Sequence, residues 1–445
     1  MPVDRKILPS INQANFDNTK TVNKMNVLVV GGGGREHAMA WKLKQSPRAD
    51  RVFVAPGNAG TAVDAENVDI AADDIPALLN FAKENNVGLT VVGPEVPLCD
   101  GIVDVFEEAG LKIFGPAKNA ARLEASKVFC KQVLRASDVP TADFSEFSSA
   151  EAAERFINER YEESPDDCPV VVKADGLAAG KGAIVCSTRD EALEAIDLIA
   201  RQREFGSAGD KMIIEDRLEG VEASILAITD GKTILTLPPA EDHKRAHDGD
   251  AGPNTGGMGA YCPTPSIDDE MLRSVEANVL VPTVHHLKRQ RSPFRGILYA
   301  GLMLTSGGPK VLEYNVRFGD PECQPMLLRL KTDLLDLLEA TVDQRLAGYW
   351  TARVGRPASG LCRDGVRGLP RQVLQRPRYP WARRSREDRR CESFPCRHQV
   401  GCRWQSRQQR RSSTWRDGGW RHRFGGEASS LQSREVHSLG RRLVP

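Results

Sequence analysis

The sequence predicts an α/β protein that opens on a parallel sheet, and three observations carry the prediction. Short apolar runs alternate with helical segments from Asn26 to Phe114; these runs end in loops rich in Gly or Pro (VGGGG, APGNAGT, VGPEVPL); and longer apolar strands return at GILYAGLMLTS and PKVLEYNVRFG. Strands separated by helices are joined by crossovers, which make neighbours parallel and cover the sheet with helices. Ligands of such sheets collect where the strands end, and the three loops fall there.

In chain order, residues 1–24 are polar and aperiodic. They read as a leader without structure, or as a start placed too early, because Met25 stands directly before the first strand. NVLVVGG is a strand and REHAMAWKLKQS a helix; RVFVAPGN and LTVVGPE are strands, with helices around IPALLNFAKENN and GIVDVFEEAG. Past LKIFGP a helix is expected over 123–136. PVVVKADGLAAGKGAIVCS reads as strand, glycine-rich loop, strand, followed by a helix at EALEAIDLIARQ and strands at KMIIEDRL and VEASILAITDG. After the two long strands, PMLLRLKTDLLDLLEATVD reads as one helix. The expected division is 25–126 for an N-terminal α/β substrate domain and 127–345 for a second domain.

Lys and Arg number 61 against 60 Asp and Glu, so the overall charge points to neither nucleic acid nor an anionic membrane. No apolar run reaches the roughly 18 residues of a membrane span. Ten cysteines lack C-x-x-C pairs, and no signal-peptide region is present, so the expected compartment is the reducing cytoplasm.

The balance hides a break. From Thr351 on, about a quarter of the residues are Arg, Lys is absent, and five of the six Trp lie from Trp350 onward. One reading is a basic arm that binds nucleic acid. The favoured reading is a shifted frame beginning near 346–359: moved by one nucleotide, GLCRDGVRGLPRQVLQRPRYPWARR can become ACVVMASEGYPGKYSKGLDIHGLEE, which alternates apolar and polar residues as strands do. No native domain is then expected over 346–445.

Four stretches carry chemistry. The opening glycines fail the dinucleotide fingerprint G-x-G-x-x-G, since the third place is Glu36 or His37, and no acidic residue closes the second strand to hold a ribose. A glycine turn into a helix N-terminus, suited to phosphate, is what survives. KADGLAAGKG places Lys173 and Lys181 around a flexible loop, with Gly180 and Gly182 flanking the second lysine, as a lid over nucleotide phosphates requires; it is not a Walker loop. IIEDRLEGVEAS offers Glu215, Arg217, Leu218 and Glu222 for an adenine edge and ribose hydroxyls. In VLEYNVRFGDPE, Glu313 and Asn315 are two apart on a strand and share a face, a pair of hard oxygen donors fit for Mg2+ between phosphates, with Arg317, Asp320 and Glu322 adding charge.

Together with VVGGGGREHA, APGNAGT and EDHKRAHDGDAGPNTGGMGAY, these motifs resemble the phosphoribosylamine–glycine ligase family of the ATP-grasp superfamily over about Met25 to Asp343. The resemblance implies an N-terminal pre-ATP-grasp domain followed by an ATP-grasp α+β domain. It also implies ligation of glycine to 5-phosphoribosylamine through a glycyl phosphate, at the expense of ATP with Mg2+ or Mn2+. On this resemblance Lys127, Lys173 and Lys181 hold phosphates, Glu313 and Asn315 the metal, and Glu215, Leu218 and Glu222 the adenosine. Asp242 meets an amino group while Lys244, Arg245 or Arg317 neutralises carboxylate and acyl-phosphate charge. Gly32, Gly33, Gly34, Gly57, Asn58, Gly60 and Glu95 take the ribosyl phosphate end, and Asn254, Thr255, Gly256 and Gly257 line the substrate wall. A cytoplasmic monomer without a nucleic-acid partner is expected, its activity impaired if the tail replaces the family's C-terminal domain. Rival readings are another ATP-grasp carboxylate–amine ligase and a nucleic-acid binder acting through the tail.

Overall fold

The computed structural model describes residues 23–164, 168–178, 182–249, 251–349 and 359–362. The expected leader, most of the Arg-rich tail, Gly180 and Lys181 lie outside the described residues. The first half is built from β1 (Met25–Gly31), α1 (Gly34–Lys44), β2 (Ala49–Pro56), α2 (Thr61–Asp64), β3 (Glu66–Asn67), α3 (Ile75–Glu84), β4 (Val87–Val92), α4 (Glu95–Asp100), α5 (Ile102–Glu108) and β5 (Ile113–Phe114). The five strands are parallel in the order β3-β2-β1-β4-β5. Val27 to Val30 are all fully buried, as a strand covered on both faces must be. The strand order turns back at β1, so the crevice opens where β1, β2 and β4 end. There Gly57 N–H donates to Gly31 O at 3.2 Å and Gly93 N–H to Val30 O at 2.9 Å.

Where one helix was expected over 123–136 there are two, α6 (Lys118–Ala125) and α7 (Lys127–Ala136). Ser126 is extended between them and caps α7, its hydroxyl accepting Phe129 N–H at 3.0 Å, because a serine oxygen competes well for orphan helix donors. Asp175, in the glycine-rich loop, accepts from Ser126 Oγ at 2.8 Å and from Val128 N–H at 3.1 Å. The loop and the start of α7 are thereby tied together.

Next come β6 (Phe144–Phe147), α8 (Ala150–Glu163), β7 (Val170–Ala174), β8 (Ala183–Cys186), α9 (Arg189–Ala200) and β9 (Met212–Asp216). The strands form an antiparallel sheet in the order β6-β9-β7-β8. Val170, Val172 and Ile214 share a buried cluster with Ile157, Ile196 and Ile199 of the two helices. The opposite side carries Lys173 and Glu215, as period-two alternation dictates.

The second antiparallel sheet uses β10 (Val221–Thr229) and β11 (Ile234–Thr236). Short strands β12 (Glu241–Asp242), β13 (Arg245–His247), β14 (Ala251–Asn254) and β15 (Gly259–Cys262) follow, then α10 (Asp269–Val275), α11 (Val281–Arg289), β16 (Gly296–Thr305) and β17 (Gly308–Asn315). Its order is β11-β10-β16-β17. The last expected helix also divides, into α12 (Cys323–Arg329) and α13 (Leu334–Val342), because Leu330 turns extended and Asp333 caps the second segment through Leu335 N–H at 2.8 Å. Leu346 is fully buried, and β18 (Ser359–Cys362) pairs antiparallel with β15. Among the described residues no helix is long and apolar enough to cross a membrane.

Candidate active site

The site grows from three adjacent supports: the shared face of β7 and β9, the end of β17, and the first turn of α7. Val171 faces Glu215 across the β7–β9 ladder, which puts Lys173, two residues on, diagonally beside Glu215. The Lys173 ammonium pairs with Glu215 Oε1. Lys131 of α7 comes within 2.5 Å of Glu215 Oε2 and donates to Thr141 Oγ1 at 2.6 Å. All three charged groups are buried. Burial alone would raise the pKa of Glu215, but Lys173 and Lys131 outweigh it and lower it.

On β17 a bulge skips Leu312, so that Gly301 faces Glu313 while Leu302 faces Val311. A bulge re-aims backbone groups, and the freed Leu312 carbonyl accepts from Lys173 Nζ at 3.4 Å. Glu313 lies 2.8 Å from Lys127 Nζ. Lys127, against burial and with help from Lys244 and Lys173, holds the Glu313 carboxyl well below the usual range. Asn315 Oδ1 accepts from Arg317 Nη2 at 3.2 Å, and the same guanidinium reaches Glu124 at 2.8 Å and Glu95 at 3.4 Å.

On the β12–β13 side, Lys244 pairs with Glu222 at 2.7 Å. Burial pushes the Asp242 carboxyl up to about 7, with Lys244 opposing and Glu322 and Glu222 adding to the rise. Beneath it Tyr299 donates to Glu322 at 2.5 Å and shares a 2.7 Å hydrogen bond with Ser224.

The N-terminal glycines meet this half directly. A methyl group at Gly33 would stand 2.7 Å from Glu36 Oε2 and 3.7 Å from Asp320 Oδ2, and one at Gly257, where φ is +100°, would press on Pro321. VGGGG, NTGGM and FGDPE therefore converge. Arg35 of α1 adds a bond to Phe318 O at 3.1 Å. Glu36, the residue that breaks the dinucleotide fingerprint, folds back onto its own helix start and accepts Gly33 N–H at 2.6 Å.

The structure thus brings together Lys127, Lys173, Glu215, Glu222, Asp242, Lys244, Glu313, Asn315, Arg317 and Glu95, while Leu218 is half-buried in the β9–β10 connection. Several sequence candidates lie elsewhere or serve their own loops. Arg245 is exposed and donates to Gly252 O at 2.7 Å, holding the β13–β14 hairpin. Asn58 directs its amide to Gly32 O and its carbonyl to Gly60 and Thr61 N–H, so it shapes the loop around Gly57. Thr255 binds the Lys244 carbonyl through both its hydroxyl and its N–H, and Gly256 faces open space. Gly34 opens α1 and Gly182 precedes β8; the Asn254 side chain, like Lys181 and Gly180, is outside the described residues.

Sequence reasoning missed Lys131, Glu124, Asp175 and the Ser224–Tyr299 pair that meets Glu322, the last of which the FGDPE motif had already offered. Only Lys131 left a signal, standing four residues after Lys127 on the same helix face. A groove of about 680 Å3 between α8, α9 and β8 shares none of these residues; its charged lining of Glu154, Glu191, Glu194 and Asp197 with Arg201 suits no polyanion.

Two antiparallel sheets gripping a lysine, carboxylate and amide cluster, behind a parallel-sheet domain, define an ATP-grasp enzyme. Residues 25–124 match the family description "Phosphoribosylglycinamide synthetase, N domain", and 125–323 match "Phosphoribosylglycinamide synthetase, ATP-grasp (A) domain". The chain is 64% identical over 325 residues to a phosphoribosylamine–glycine ligase of Rhodopirellula baltica, spanning 73% of this chain and 74% of that protein. It is 48% identical over 366 residues to the ligase of Haemophilus influenzae, spanning 79% and 84%. The crystal structure of phosphoribosylamine–glycine ligase from Thermotoga maritima matches with a TM-score of 0.65 and 30% identity, over 78% of this chain and 82% of that one. The chain belongs to the phosphoribosylamine–glycine ligase family.

Proposed function

We propose that this chain joins glycine to 5-phosphoribosylamine, converting ATP to ADP and phosphate and releasing glycinamide ribonucleotide, a step of purine biosynthesis. The observation that carries the reading is the convergence of Lys127, Lys173, Glu313 and Asn315, on a chain whose relatives bear that ligase name. Phosphoryl transfer is chiefly positioning and charge neutralisation, and the site supplies both. Lys173, and Lys127 once it leaves Glu313, meet phosphate oxygens. Lys181, the second lysine of KADGLAAGKG, is assigned to the phosphates as well. Leu218 and the β9–β10 backbone seat adenine, with Glu222 toward the ribose.

A carboxylate and an amide oxygen on one strand face fit a divalent cation that arrives with phosphates. Among the described residues no cluster of three or more His, Cys, Asp or Glu could cage an ion alone, and Mg2+ seldom needs one. Bound by Glu313 and Asn315, Mg2+ or Mn2+ would neutralise charge on the transferred phosphoryl. Glycine's carboxylate oxygen attacks the γ-phosphorus and ADP leaves. The amine of phosphoribosylamine then attacks the acyl carbon, phosphate leaves, and the amine's surplus proton goes to a base. Asp242 orients an amino group, while Lys244 and Arg317 balance acyl-phosphate charge. Gly32 to Gly34, the loop shaped by Gly57, Asn58 and Gly60, and the Thr255–Gly257 wall receive the ribosyl phosphate. Residues 25–126 are assigned to the substrate end and 127–345 to the nucleotide end of a cytoplasmic monomer.

The test is ADP release by the full chain with MgATP. Release that requires both glycine and phosphoribosylamine supports the reading; release driven equally by another amino acid or amine favours a different ATP-grasp ligase.

A further inference from the structure

Glu124, next to last in α6, is 5% exposed, and its two carboxylate oxygens are divided between neighbours. Oε2 accepts the backbone N–H of Val316 at 2.7 Å, and Oε1 lies 2.8 Å from Arg317 Nη2. That nitrogen also donates to Asn315 Oδ1 at 3.2 Å. One side chain therefore holds two consecutive residues just past β17, Val316 and Arg317, and the contact with Asn315 is made by the guanidinium alone. A neutral amide could satisfy the Val316 N–H equally well. The charge, which is costly to hold away from water unless it is met, is met directly by the guanidinium.

We infer that Glu124 is a positioning residue, which aims the Arg317 guanidinium beside Asn315 and thereby sets turnover and not nucleotide affinity. The inference rests on the reading that Arg317 faces the acyl phosphate. Geometry supports the division of labour: Glu124 touches the strand end and the arginine, whereas Lys173 is held by Glu215 and the Leu312 carbonyl. Misplacing a catalytic group costs turnover first.

Glu124→Gln keeps an acceptor for Val316 and removes the charge. The expected result is a kcat lower by about tenfold or more with the KM for ATP within about threefold of wild type. In an Arg317→Ala background the substitution should change nothing further, since groups acting as one unit are not additive. Wild-type kcat in Glu124→Gln, or losses that multiply in the double variant, overturns the inference. Independently of turnover and of variant folding, the guanidinium nitrogen resonances of Arg317 in the wild-type chain should show hindered rotation about Cζ–Nη2. Free rotation overturns the inference. Hindered rotation in a chain that releases no ADP with both substrates instead upholds the pairing and removes the ligase reading.

Discussion

Around Gly31, Gly33 and Gly93 the chain is held by shape: the Glu36 side chain fills the space that a Cβ at any of the three would need, and backbone bonds lock the strand ends. Around Lys173 and Glu313 it is held by charge, with two lysines on Glu215, Lys127 on Glu313 and Lys244 on Glu222. The first region tolerates no added atom. The second presents cations already parked on carboxylates, which a polyanion with its metal can take over. Added volume should therefore cost folding in one place, and altered charge should cost chemistry in the other.

The largest break expected is in the charged region. Glu313→Gln, which is nearly isosteric, should lower kcat/KM by about 10^3-fold with little change in melting; a comparable loss should follow chelation of divalent metal. If Glu313→Gln melts far lower yet turns over normally when folded, the division between the regions fails. Second in size, Gly93→Ala should cost about 2–3 kcal/mol in urea unfolding, because its methyl overlaps the buried Glu36 carboxylate; an unchanged midpoint would mean that the glycine region is loosely packed.

A third effect is pH dependence. With Asp242 pushed up to about 7 by burial, and its carboxylate form required to orient an amine, kcat/KM should rise with pH through about 7. Asp242→Asn should lose that limb. The sign for stability is opposite. A carboxyl whose folded pKa exceeds its unfolded value favours the folded state at low pH, and that contribution declines as pH rises through about 7, so the Asn variant should gain stability relative to wild type near pH 8. The smallest effect is a control: Arg51→Ala, which breaks an exposed pair with Glu66, should leave melting and turnover alike unchanged.

The alternation of strands and helices, the glycine loops at the strand ends and the common strand face of Glu313 and Asn315 were legible because each rests on local pattern. Two helix breaks were not. Ser126 and Asp333 sit inside patterns that look continuous, and only their capping bonds reveal the interruption. Glu124 and Lys131 escaped for a related reason: on a helix a buried charge and a solvated one have the same spacing, and what separates them is the partner from a distant strand. Arg245 shows the other side of this, since its place in EDHKR gives no hint of its bond to the hairpin carbonyl of Gly252.

On the ligase reading, glycine is activated as an acyl phosphate on this chain. Incubation with MgATP, phosphoribosylamine and glycine carrying 18O in both carboxylate oxygens tests it most directly, by mass analysis of the products. One labelled oxygen should appear in inorganic phosphate and one remain in the amide of glycinamide ribonucleotide. Phosphate free of label, with both labelled oxygens left in glycine, would contradict it.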